Sequence, residues 1–84
     1  MTIKQLVEKY VANTEEVFQQ LERQTAFTEA EKVLDYAKRY LKDAKYYRDQ
    51  KRFETALASV AYCEGLLDGL RLLGMVEFKW SRNK

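Results

Sequence analysis

Apolar side chains recur along this chain in steps of three and four, the spacing that keeps them on one face of a helix with 3.6 residues per turn. The first run is Ile3, Val7, Tyr10, Thr14, Val17 and Leu21, widened by Leu6, Val11 and Phe18, with Thr14 as the only polar member of the seam. Thr2-Ile3-Lys4-Gln5 has the form of a capping box, so the spacing predicts a helix over about 2–23. A second run, Ala30, Val33, Leu34, Ala37, Tyr40, Leu41, Ala44 and Tyr47, begins within another capping box, Thr28 to Glu31, and predicts a helix over 28–49. On its surface Asp35–Arg39, Arg39–Asp43 and Lys45–Asp49 are spaced as ion pairs. The third run, Phe53, Ala56, Leu57, Val60, Cys63, Leu67 and Leu70, predicts a helix over 53–73, closed by a left-handed Gly74.

That last helix is dense in small residues. Ala56, Ala58, Ser59, Ala61, Gly65 and Gly69 let neighbouring helices approach closely along it, and each internal glycine costs about 1 kcal/mol relative to alanine. Between the second and third helices, Gln50-Lys51-Arg52 must reverse the chain with neither glycine nor proline. Short joints between amphipathic helices favour antiparallel neighbours. The fold expected is therefore all-α, an up-down-up antiparallel three-helix bundle over residues 1–74 with a tail over 75–84. In that tail Val76, Phe78 and Trp80 alternate with charges and are expected to fold back on the bundle or meet a second copy, and residues 81–84 to fray. Folding the first joint near residue 25 would set Thr14 level with Ala37, and folding the second near residue 51 would set Tyr36 and Ala37 beside Glu64 and Gly65.

Composition narrows the chemistry. Of the 84 residues 46% are hydrophobic and 33% charged, with no proline, which is the make-up of a small helical domain and not of a disordered chain. No run of 18 apolar residues and no cleavable signal is present, so neither a membrane span nor export is expected, and the single Cys63 fits a reducing cytoplasm. With no histidine, imidazole acid–base chemistry, histidine triads and histidine metal sites are excluded. No cofactor or metal is implied, and an enzyme is not the expected reading.

Charge is unevenly spread. The net +2 divides into −3 over residues 1–37, +5 over 38–52, −3 over 53–78 and +3 over 79–84. Within the basic band Lys38, Lys42, Lys45 and Arg52 form a stripe with Arg39 and Tyr46 adjacent, a surface that can meet phosphates and stack a base. Asp43 and Asp49 interrupt it, and a basic helix end is favoured by the helix dipole in any case. A second candidate lies on the third helix. Glu64, Asp68 and Arg71 fall on the flank of the apolar arc, where they read first as an ion-pair belt that fixes register and, more sharply, as a polar pocket for a small molecule or nucleotide with Tyr36, Tyr40 or Tyr62 nearby.

Ala37-x-x-Tyr40-x-x-Asp43-Ala44-x-x-Tyr47, then Phe53, Ala56 and Val60, then Tyr62-Cys63-x-Gly65-x-Leu67-Asp68 and Gly74 carry a family resemblance. On these residues the chain resembles the archaeal domain of unknown function 357. The likeness implies a small three-helix bundle and carries over no catalytic or binding residue. The chain departs from the pattern at Gln50-Lys51, where Gly-Asp is usual, and at Cys63 and Gly69, where alanine is usual. The function expected is a non-catalytic binding or scaffolding module with a protein partner or a second copy. The ligand pocket and weak RNA binding are the alternatives.

Overall fold

The computed structural model describes residues 1–24 and 28–80. Thr2 opens the first helix as a capping box should: its hydroxyl accepts from the Gln5 backbone N–H at 3.1 Å, and its own N–H donates to Gln5 Oε1 at 2.9 Å. Three helices follow in order, α1 (Ile3–Leu21), α2 (Thr28–Asp49) and α3 (Phe53–Leu72), the all-α bundle that the apolar spacing predicts. Thr28 is counted as the first residue of α2, not as the residue ahead of it. The remainder of the first joint, and residues 81–84, lie outside the described residues.

Val7, Val11, Val17 and Leu21 of α1 meet Ala30, Ala37, Leu41 and Ala44 of α2 and Ala56, Val60, Cys63, Leu67 and Leu70 of α3 in one core. Alanine at 30, 37 and 44 gives α2 a smooth face, so α2 and α3 form the most intimate pair, while α1 and α2 touch least. The close approach comes from these alanines and Ala56. Three other small residues of α3 do not serve it: Ala58, Ala61 and Gly65 are exposed. At 100° per residue they fall opposite the arc centred on Cys63 and Leu67, which the heavier side chains claim. The Cα framework measures 36 × 28 × 18 Å, and three helices around one core leave each of them an outward face.

The joint between α2 and α3 solves its missing glycine in an unexpected way. Lys51 itself takes the left-handed conformation at φ 62°. Its N–H bonds to the Arg48 carbonyl at 2.9 Å and the Arg52 N–H to the Tyr47 carbonyl at 2.9 Å, the paired bonds of a Schellman ending. The apolar contact that usually accompanies this motif is replaced by the Arg52 guanidinium, 4.9 Å from the centre of the Tyr47 ring. Gly74 ends α3 by the same motif at φ 76°, with Gly74 N–H to Arg71 and Met75 N–H to Leu70 both at 3.0 Å.

Two surface expectations are corrected. Glu15 pairs with Lys45, so the midpoint of the α1–α2 pairing is residue 30 and not 25; Thr14 does not sit level with Ala37. The ion pairs expected within α2 are also absent among the described residues. Arg39 lies over the Tyr36 ring at 5.5 Å, Lys45 reaches across to α1, and Asp49 takes Arg48 at 3.0 Å. Long side chains with a ring or a second helix in reach gain more there than from an exposed pair on their own surface.

Candidate functional site

Asp68 of α3 accepts Arg71 Nε at 3.1 Å and Trp80 Nε1 at 2.8 Å, both on Oδ1. Trp80 belongs to the tail, whose Val76 and Phe78 are buried in the core and whose Phe78 and Trp80 rings meet edge to face at 5.0 Å. From the other side Gln20 of α1 and Gln24 of the turn that follows it hold the same segment by its backbone. Gln20 accepts from the Lys79 N–H at 3.0 Å and donates to the Lys79 carbonyl at 2.8 Å. Gln24 does the same for Glu77, accepting its N–H at 3.1 Å and donating to its carbonyl. Two amides four residues apart, one on the last turn of α1 and one in the turn beyond it, thus meet backbone groups two residues apart. Sequence reasoning found the alternating tail but not Gln20 and Gln24; glutamines four apart beside that tail were the available signal.

The six residues expected to share a polar pocket occupy two places. Asp68 and Arg71 stand at the tail, with half-buried Glu64 on the same flank by helical phase. Tyr36, Tyr40 and Tyr62 come together on the α2 side, where they line a cleft of about 180 Å³ with Val33 and Leu66. Tyr40 and Tyr62 meet edge to face at 4.4 Å, while Tyr36 and Tyr62 are more than half exposed. Glu64 lies roughly 160° and Asp68 roughly 120° of helix circumference from Tyr62, and the cleft that the tyrosines line includes neither acid. Thr14, the polar seam residue, donates its hydroxyl to the Tyr10 and Val11 carbonyls of its own helix at 3.0 and 2.9 Å.

The basic residues divide three ways. Lys38, Lys42 and Lys45 border a groove between α1 and α2 that also contains Glu15 and Glu22. Arg39 stacks on Tyr36 on another face. Arg52 belongs to the turn, with Tyr46 nearby accepting from Gln50 Nε2 at 2.9 Å. Cys63 is fully buried, and burial, with the adjacent Glu64 carboxylate adding to it, pushes its thiol up to about 12. It is a core side chain and not a nucleophile at neutral pH. Among the described residues no group of three or more His, Cys, Asp or Glu is placed to hold a metal, and no helix is long and apolar enough to cross a membrane.

What the described residues leave uncovered is the outer face of α3. Ala58, Ala61 and Gly65 are exposed there, no described residue lies within 4 Å of where a Cβ would sit at Gly65 or Gly69, and Leu72 is 75% exposed. Between Ala58 and Leu72 this arc carries no charge; the charged residues of α3 over that span, Glu64, Asp68 and Arg71, lie on the flank towards the tail.

Residues 9–76 match the family described as protein of unknown function (DUF357), and the chain belongs to it. The match reaches from α1 through the start of the tail, farther than the residues of α2 and α3 that carry the resemblance in the sequence. No curated protein shows significant similarity to the chain.

Proposed function

We propose that this member of the DUF357 family is a non-catalytic binding module whose contact surface is the outer face of α3, taking a helix of a protein partner. The observation that carries this is Gly65 and Gly69. Each glycine costs a helix about 1 kcal/mol, and both face open space, so no packing among the described residues accounts for them. A partner backbone lying close against the stripe does. Tyr62 and Tyr36 on the α2 side supply the amphipathic aromatic anchors that protein contacts favour, and Leu72 offers an apolar side chain at the far end.

The absence of histidine and the protonated, buried thiol fit a module without chemistry of its own, and the unpaired cysteine accords with a cytoplasmic setting. A pocket shared by Glu64, Asp68, Arg71 and the tyrosines receives no support from the way these residues are separated. An RNA surface receives little from a basic band split over three places.

A photo-crosslinking residue placed at position 65 in the native cell tests the reading, with the same residue at exposed position 8 on α1 as the control. The expected result is a discrete protein adduct from position 65 alone. An adduct pattern no different from that of position 8 would remove α3 as the contact face.

A further inference from the structure

The groove between α1 and α2 has a polarity that the outer face of α3 lacks. It is about 480 Å³, with Phe18 and Leu41 at its floor. A smaller hollow of about 110 Å³, bounded by Leu21 and Leu34, continues it past Phe18. One rim, on α1, carries Glu15 and Glu22; the other, on α2, carries Lys38, Lys42 and Lys45. Glu15 is paired with Lys45, whereas Glu22, Lys38 and Lys42 form no ion pair among the described residues. Groove and charges arise because α1 and α2 pack most loosely of the helix pairs, leaving an apolar trough between an acidic and a basic edge.

We infer that this groove pairs with the same groove of a second copy, the two chains related by a two-fold axis running along the trough. That operation keeps each residue at its own level and exchanges left for right, so the acidic α1 rim of one copy faces the basic α2 rim of the other. Glu22 then meets Lys38 and Lys42 of the second copy, Glu15 stands over Lys45 of the second copy, and the apolar floors close on each other as a four-helix core. Any other face-to-face arrangement sets acids on acids and lysines on lysines, which costs instead of stabilising.

Size agrees with an associating and not an obligate pair. Two adjacent helices of 19 and 22 residues present a footprint of roughly 30 by 20 Å. That is about 600 Å² per copy and about 1,200 Å² in total, the lower edge of specific interfaces. The dimer is therefore reversible and dependent on concentration. Because its charged rims are partly exposed, it is also weakened by salt, unlike an uncharged contact through α3. This pairing is independent of the contact proposed for α3, which lies on a different face.

Sedimentation equilibrium of the full chain reads the outcome. Wild type is expected to move from the monomer mass towards twice that mass as concentration rises. It should return to monomer at about 1 M salt, where the screening length falls to about 3 Å. The decisive arm uses two variants, Lys38→Glu/Lys42→Glu, acidic on both rims, and Glu15→Lys/Glu22→Lys, basic on both. Each alone should stay monomeric at low salt, and an equimolar mixture should form the heterodimer at least tenfold more strongly than either self-associates. Circular dichroism confirms that both keep their helices, and the wild-type salt series stands if one does not. A wild type that is monomeric at every concentration, a mixture that stays monomeric, or a salt-resistant dimer lost on Gly65→Arg would each overturn the pairing. So would a monomer that retains single-stranded RNA through Lys38 and Lys42.

Discussion

The two flanks of α3 outside the core receive opposite treatment. On one, Asp68 is engaged by Arg71 and Trp80, and the tail beside it is fastened by backbone pairing with Gln20 and Gln24. On the other, Ala58, Ala61, Gly65, Gly69 and Leu72 form an apolar surface that no part of the described chain covers. A polar group next to a core needs partners, and the chain supplies them where it has charges. Small apolar residues carry no such requirement and can stay bare at little cost until another surface arrives. The flank richest in chemistry is thus structural, and the flank without any is the one available for binding.

Truncation should separate the flanks most sharply. Phe78→Ala is expected to lower the unfolding free energy by about 3 kcal/mol, since Phe78 is 8% exposed in the core, whereas Leu72→Ala, at 75% exposure, stays within about 0.5 kcal/mol. Urea unfolding measures both, and equal losses would erase the distinction. Next in size is the double change Gln20→Ala/Gln24→Ala, which removes four hydrogen bonds to the backbone of the tail. A loss of about 2 kcal/mol and faster amide exchange at Glu77 and Lys79 are expected. Unaltered exchange there would show that the tail is held by its aromatic side chains alone.

Cys63 lies on the core arc between the two flanks and makes its burial readable by pH. Its thiol titrates near 9 when unfolded and is pushed up to about 12 in the fold, so above pH 9 the unfolded chain releases a proton that the folded chain keeps. The contribution is complete below about pH 9 and is lost as pH rises towards 12, at up to about 1.4 kcal/mol per pH unit. Between pH 9 and 10.5 the wild type should lose more stability than Cys63→Ala. Parallel losses in the two proteins would mean that the thiol is not buried from solvent. Smallest is the contrast between the two helix endings. Lys51→Gly should gain about 0.5–1 kcal/mol and Gly74→Ala should lose about 1, because both positions are left-handed but only one has the residue suited to it. A loss at Lys51→Gly would mean that the lysine side chain contributes more than its backbone conformation costs.

Helix number, order and limits were legible because the apolar phase restarts cleanly at Phe53 and breaks at Gly74. The level of α1 against α2 was not. Periodicity fixes which face of a helix is buried but not how far the helix slides, and the pairing of Glu15 with Lys45 depends on that slide. The charged flank was visible as Glu64, Asp68 and Arg71, yet its purpose depended on Trp80, twelve residues beyond Asp68. Tyr36, Tyr40 and Tyr62 gathered as the α2–α3 register implied. Placing the acids with them overlooked that Tyr62 and Glu64, two positions apart on a helix, point nearly opposite ways. Lys51 was legible only as a missing glycine. The small residues were legible as a stripe, but which way the stripe faced was decided by the larger side chains that took the core.

The bare face rests on one premise, that its glycines do nothing for the chain itself. Unfolding of Gly65→Ala/Gly69→Ala in urea tests it directly. With open space at both Cβ positions, the pair should become more stable by about 1–2 kcal/mol, with the midpoint shifted up and the slope unchanged. A fall in stability would contradict the account, because the glycines would then be serving contacts inside the chain and α3 would have no face reserved for a partner.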